Sequence, residues 1–213
     1  MRRRALLVGG LALPLLAAGG RELLRARRAE FFEAGAVVQM SVALPELLSP
    51  RDDDAMASLA SAFATTLDFE ITLYRAGVAR PLARRRRVVK IQWDPWRERF
   101  VVSAQDDGGA AQSRSFAARE AAIAAAVSLE RVTIAEASLL ERGPQATYFV
   151  TVIGQRNPIS PELLPELEAA AAREQGRDLA VFSRWIGVFV SDVPAAEKTA
   201  AIRTSPGFYL VRR

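Results

Sequence analysis

Between Thr66 and Ala104 apolar side chains return at every second position, and that period constrains the chain more than any other feature of it. Leu67, Phe69, Ile71 and Leu73 fall on one side of the segment Thr66 to Arg75, while Thr66, Asp68, Glu70, Thr72 and Tyr74 fall on the other. That is the pattern of a half-buried strand. After a loop carrying Gly77 and Pro81, Val89, Ile91 and Trp93 resume the alternation, and Phe100, Val102 and Ala104 carry it back beyond Asp94-Pro95-Trp96-Arg97. Asp before Pro suits a type I turn, because the ring presets the backbone angle and the carboxylate accepts a turn N–H. A sheet core with a hairpin at its centre follows.

Elsewhere the same logic gives strands and helices in alternation. Val38, Met40, Val42 and Leu44 mark a first strand, and Tyr148, Val150 and Val152 a later one. Ser49-Pro50-Arg51-Asp52 reads as a helix start, with Ser49 as cap and Pro50 at the first position, running to about Phe63. Ser115 is expected to cap a second helix from Phe116 to Val127, with Ile123 and Val127 on its buried side. Ser160-Pro161-Glu162 opens a third, closed by Gly176 and burying Leu163, Leu164 and Leu167. Trp185 to Val190 reads as an interior strand, and Ala201 to Val211 as the last strand, bent at Pro206-Gly207. The fold class expected is mainly β with inserted helices, an antiparallel sandwich-like domain after an N-terminal hydrophobic helix.

The N terminus has the three-part layout of an export signal: Arg2-Arg3-Arg4, an apolar run from Ala5, then Ala17-Ala18-Gly19-Gly20. As a helix the run Ala5 to Gly20 reaches only about 24 Å, short of the roughly 30 Å hydrocarbon core. A cleaved signal, a retained anchor and a buried helix of a cytosolic fold all remain open, because Arg21, Arg25, Arg27 and Arg28 follow directly and Ala-x-Ala is missing. Arg3-Arg4-x-Leu6-Leu7 also resembles a twin-arginine signal. The organisation expected is residues 1–20 as signal or anchor, 21–35 as a charged helical linker, and 36–213 as the sheet-rich domain. The location expected is periplasmic, or anchored in the inner membrane and facing the periplasm.

Composition narrows the chemistry. With neither cysteine nor histidine in 213 residues, disulfides, thiol nucleophiles, imidazole or thiolate zinc sites and Ser-His-Asp triads are all excluded. No cofactor fingerprint is present, so neither cofactor nor metal is expected. The formal charge of +5 suggests an anionic partner, but all basic residues except Lys90 and Lys198 are arginine. Among so many alanines this reads as the habit of a GC-rich genome. Loss of Arg2, Arg3 and Arg4 with an export signal lowers the charge to +2, which suits a nucleic-acid binder poorly.

Three clusters invite a functional reading. Arg84, Arg85, Arg86 and Arg87 form the densest charge after the N terminus; they read as a solvated loop end or edge strand, or as contact with an anionic membrane surface or acidic partner. Asp68 and Glu70, two apart on one strand face, are the pair a carboxylate hydrolase would need, and equally what a wet strand face displays. Asp52-Asp53-Asp54 fits a helix N terminus without any metal. Trp93 shares its face with Val89 and Ile91 and reads as core, while Trp96 caps the turn.

The strand at Val38 to Leu44, the segment Leu67-Asp68-Phe69-Glu70-Ile71-Thr72-Leu73, the pair Val88 to Trp93 and Arg99 to Val102, and the ending Arg203-Thr204-Ser205-Pro206-Gly207-Phe208-Tyr209 together resemble an uncharacterised bacterial envelope family, domain of unknown function 4390. The resemblance implies an envelope protein linked to a nitrogen-regulation-type sensor kinase, and it carries over no site residue. Three functions are therefore expected in order: a non-enzymatic envelope domain acting by contact with a protein or the membrane; a carrier of an apolar ligand, lined by helices around Ala121 and Leu163; and a carboxylate-based hydrolase.

Overall fold

A computed structural model describes residues 24–61, 63–158 and 196–211. Ten strands and two α-helices follow one another among these residues: β1 (Arg25–Arg27), β2 (Glu30–Ala34), β3 (Val37–Ala43), α1 (Asp53–Ala60), β4 (Thr65–Arg75), β5 (Pro81–Asp94), β6 (Arg99–Asp106), β7 (Gln112–Phe116), α2 (Arg119–Val127), β8 (Ser128–Glu136), β9 (Tyr148–Pro158) and β10 (Ala196–Thr204). Seven of the strands make one sheet in the order β1-β10-β9-β4-β5-β6-β7, and β2-β3-β8 make a second. Every pairing is antiparallel except β1 with β10.

The alternation around β4 decides this arrangement. Leu67, Phe69, Ile71 and Leu73 are all buried, and Val89 and Ile91 of β5, Val150 and Val152 of β9 and Ile202 of β10 share their face. Across from them stand Val38 and Met40 of β3, Leu129 and Val132 of β8, the 3-10 turn Pro45–Leu48, and the inner sides of α1 and α2. Each fully buried aliphatic or aromatic side chain contributes roughly 1.5–3 kcal/mol, so this single shared core holds the two sheets together. Among the described residues no helix is long and apolar enough to cross a membrane.

Several local expectations give way to tertiary contacts. Where a charged linker helix is expected from Arg21 to Glu33, the described residues form β1 and β2 instead. Phe31 turns inward to stack on Phe208 at 4.0 Å, and Phe32 turns outward beneath Arg131. Long-range pairing outweighs a helix propensity of a few tenths of a kcal/mol per residue. The sheet-rich domain therefore begins by Arg25 rather than at residue 36. Ser49 does not cap α1; Asp52 does, accepting from the Ala55 N–H at 3.0 Å, because its other oxygen is held by Arg156. Ser115 lies in β7 opposite Val101, and α2 starts only at Arg119. The third helix expected from Ser160, with Leu163, and the strand Trp185 to Val190 lie outside the described residues, as does Met1 to Gly20. The last strand runs from Ala196 to Thr204, earlier than expected, and the bend at Ser205–Pro206 returns the chain to pair Phe208 with Tyr148.

Candidate functional site

The arginine run lies within β5, not in a loop. Arg84, Arg85 and Arg86 pair with Thr72, Ile71 and Glu70 of β4, while β6 joins β5 only from Arg87 onward. The Asp106–Gly108 turn continues the ladder beyond β6, with Asp107 N–H donating to the Arg86 carbonyl and the Asp107 carboxylate accepting from the Arg86 N–H, each at 2.8 Å. Because side chains alternate along a strand, the four arginines cannot form one cationic face. Arg84 and Arg86 point outward with Asp68 and Glu70, and Arg85 and Arg87 share the face of Val89.

Three of the four are consumed by carboxylates. Arg86 Nε donates to Asp68 Oδ1 at 2.9 Å, and this hydrogen bond is the main reason its guanidinium holds its proton more tightly than usual. Arg87 grips Asp106 through Nη2 at 2.6 Å, and Arg85 lies 3.5 Å from Asp107. The Arg85 Nε is buried without a hydrogen-bond partner among the described residues. Arg84 has no carboxylate partner among them. A shallow depression of about 540 Å³ on this outer face is lined by Asp68, Glu70, Arg84, Arg86, Asp107 and Gln155. Both signs of charge line it, so it has no pull for one kind of ion. As for a hydrolytic pair, both Asp68 oxygens face the Arg86 guanidinium. Asp52 is engaged by the α1 backbone and Arg156, and Asp53 and Asp54 stand in the first turn of that helix.

The second feature is the tip of the β5–β6 hairpin. Asp94 Oδ1 accepts from the N–H groups of Trp96 at 3.0 Å and Arg97 at 3.2 Å, the bonds expected of an Asp-Pro turn. Trp93 packs on Phe100 with ring centroids 4.7 Å apart, as its place on the strand requires. Trp96 does not cap the turn by packing on it: it is 95% exposed. Close by, Leu59, Ala60, Trp93, Phe100, Ala117 and Ala118 line an open groove of about 560 Å³ that begins where α1 ends. Phe63, three residues past that end and 82% exposed, is a residue the sequence reading passed over; its one signal is that it stands before the β4 alternation and belongs to no apolar face. The buried side of α2, Ala122, Ile123, Ala126 and Val127, packs into the core, and Ala121 points away.

With that geometry in view, the family comparison has a structural meaning. The family model described as Domain of unknown function (DUF4390) matches residues 24–153. The chain belongs to this family. The matched residues take in β1 through the first half of β9, and so hold the arginine run, the β5–β6 hairpin and the groove. In this DUF4390 chain β10 and the closing Arg203 to Tyr209 stretch lie beyond the match, although β10 completes the large sheet against β9. No curated protein and no solved structure matches the chain.

Proposed function

We propose that this chain is a non-catalytic domain of the bacterial envelope, exported or tethered through Met1 to Gly20, that works by contact with another surface. The observation that carries this reading is Trp96. An indole contributes the largest apolar area of any side chain, and burying it in a contact stabilises that contact by roughly 2–3 kcal/mol. Here it stands almost wholly in water on a turn that Asp94 holds in place. A turn whose backbone is already held loses little backbone freedom on docking, which is the economy of a contact residue. The link to a sensor-kinase system that the family resemblance implies belongs to this proposal as the most direct use for such a contact.

Two measurements test it together. Cell fractionation with mass spectrometry of the N terminus should place the chain outside the cytosol, and a photo-cross-linking residue at position 96 should give adducts that one at Arg203 does not. Recovery from the cytosol with Met1 to Gly20 intact, or equal cross-linking at the two positions, overturns the reading.

A further inference from the structure

We propose that the first residues of β5 form an open sheet edge that takes up an extended, acidic segment of a partner protein as an added strand beside Arg84. This edge lies at the end of β5 away from Trp96, and the proposal is independent of the contact made there.

Strand register leaves the edge open. β4 accompanies β5 from Pro81, whereas β6 joins it only at Arg87, so residues 81–86 have a strand on one flank alone. Backbone groups alternate between the two flanks of an antiparallel strand. Arg86 turns its N–H and carbonyl toward the β6 side, where Asp107 meets both. Arg84, two residues earlier, presents its own N–H and carbonyl to that side, but there the chain has turned away after Asp106, whose carbonyl accepts from the Gly109 N–H at 2.7 Å. No group among the described residues bonds the two. A donor and an acceptor side by side on an exposed strand are what a further strand recognises.

Charge identifies the strand that fits. Arg80 and Arg84 have no carboxylate partner among the described residues, and Arg85 is met only at 3.5 Å by Asp107, with its Nε unbonded. Asp68 is taken by Arg86, and Glu70 stands opposite that same residue. A carboxylate opposite Arg84 supplies what the chain itself does not. Beside it Leu82, also exposed, offers an apolar contact.

The same geometry argues against the other anionic and strand-bearing occupants. Arg84 and Arg85 lie on opposite faces of the sheet, so a flat anionic membrane meets one of them, while a strand laid along the edge meets both because its own side chains alternate in step. Lipid phosphates accept hydrogen bonds and leave the Arg84 carbonyl without a donor. Pairing this edge with that of a second copy sets arginine against arginine, which is repulsive.

The test titrates full-length chain with a short fluorescein-labelled peptide of alternating glutamate and valine and reads fluorescence anisotropy. The peptide should bind, more weakly as salt is raised, and Arg84→Ala should weaken it about tenfold with the melting temperature nearly unchanged. A residue hydrogen-bonded to Arg84 shares its face and points its N–H at the β5 edge. Peptide N-methylated at its glutamates should therefore fail to bind, while peptide N-methylated at its valines binds as the parent does. In hydrogen exchange the Arg84 amide should gain protection from the peptide, and the Arg85 amide, which faces β4, should keep the protection it has. Trp96→Ser should bind the peptide normally, whatever position 96 cross-links to. No binding at millimolar peptide, equal binding by the two methylated peptides, or undiminished binding by Arg84→Ala each overturns the proposal. Phosphatidylglycerol vesicles that block the peptide where phosphatidylcholine vesicles do not would assign the arginines to lipid, and a dimer that Arg84→Ala dissociates would assign the edge to a second copy; either result overturns it too.

Discussion

Arg156 donates from Nη1 to the Asp52 carboxylate at 2.9 Å, joining the middle of the large sheet to the cap of a helix 104 positions earlier in the chain. The guanidinium is only 4% exposed and is met on its other sides by the Leu47 carbonyl at 3.1 Å and Glu197 at 3.1 Å. It is the one charged residue among the described residues that is buried outright. Through it the cap of α1, the 3-10 turn and β10 are each hydrogen-bonded to β9.

Asp52→Ala removes a cap and strips a buried cation of one partner at once. Caps contribute about 1 kcal/mol, and breaking a buried pair costs about 3–5 kcal/mol when no other acceptor remains. With Glu197 and Leu47 still in place the expected loss is about 2–4 kcal/mol, read from a urea unfolding curve. A change within the scatter of surface substitutions shows that α1 and the sheet are not coupled at this point.

The same residue makes stability fall in acid. The Ala55 N–H first, and the Arg156 hydrogen bond second, hold the Asp52 carboxyl below its ordinary value of 3.8. A depressed pKa means that the ionised form belongs to the fold, so its contribution is complete above that ordinary value and is lost as pH falls through the lowered one. Asp52→Asn should therefore be less stable than the parent at pH 7, and the gap should narrow as both are titrated below pH about 4. A gap constant with pH contradicts the assignment.

Within the arginine run, cost should follow burial rather than charge. Arg87 is 15% exposed and grips Asp106, whereas Arg84 projects outward without a carboxylate partner among the described residues. Arg84→Ala is expected to change stability by less than about 0.5 kcal/mol and Arg87→Ala to cost roughly 1–2 kcal/mol. Asp68→Ala falls between them, because its partner Arg86 is largely exposed and such pairs contribute about 0.2–1 kcal/mol. Thermal melts of the three variants decide the order, and equal shifts would refute it.

Why some elements were legible in the sequence and others were not is seen by comparing β4 with β8. β4 sits in the centre of the large sheet with one face dry, so its side chains keep strict alternation over eleven residues, and the period is plain. β8 has the same job in the small sheet, but two irregularities break its register against β3, between Val38 and Gln39 and between Met40 and Val42. At the second of these Arg131 takes a φ of +46°, so Glu130 and Arg131 are both exposed, while Ile134 and Ala135 are both buried at the first. A bulge erases the period on which a strand assignment depends. The helix starts went astray for a related reason: Ser49, Asp52 and Ser115 can all cap, and only the distant partners, Arg156 for Asp52 and Val101 for Ser115, select among them. The candidate contact surface was half visible. Trp96 stood out in its turn, but Phe63 acquires meaning only when pairing of β4 with β5 brings it to the same end.

The closing segment offers a test of how firmly the two sheets are joined beyond the family-matched residues. Phe208 and Tyr148 exchange backbone hydrogen bonds of 2.7 and 2.9 Å, and the Phe208 ring stacks on Phe31 of the small sheet. Gly207 permits this approach: a Cβ there would stand 2.6 Å from the Tyr148 carbonyl oxygen and 2.8 Å from Thr147 Cγ2. The nearer neighbour is backbone in a paired strand and cannot step aside as a side chain can. Gly207→Ala must lift the segment, giving up two hydrogen bonds of about 1 kcal/mol each along with part of the aromatic stack. The expected result is a loss of about 2–3 kcal/mol, with faster amide exchange at Tyr148 and Phe208 while the amides of β4 and β5 keep their protection. Unchanged exchange at Phe208 would mean that the chain end is held by something other than this close approach.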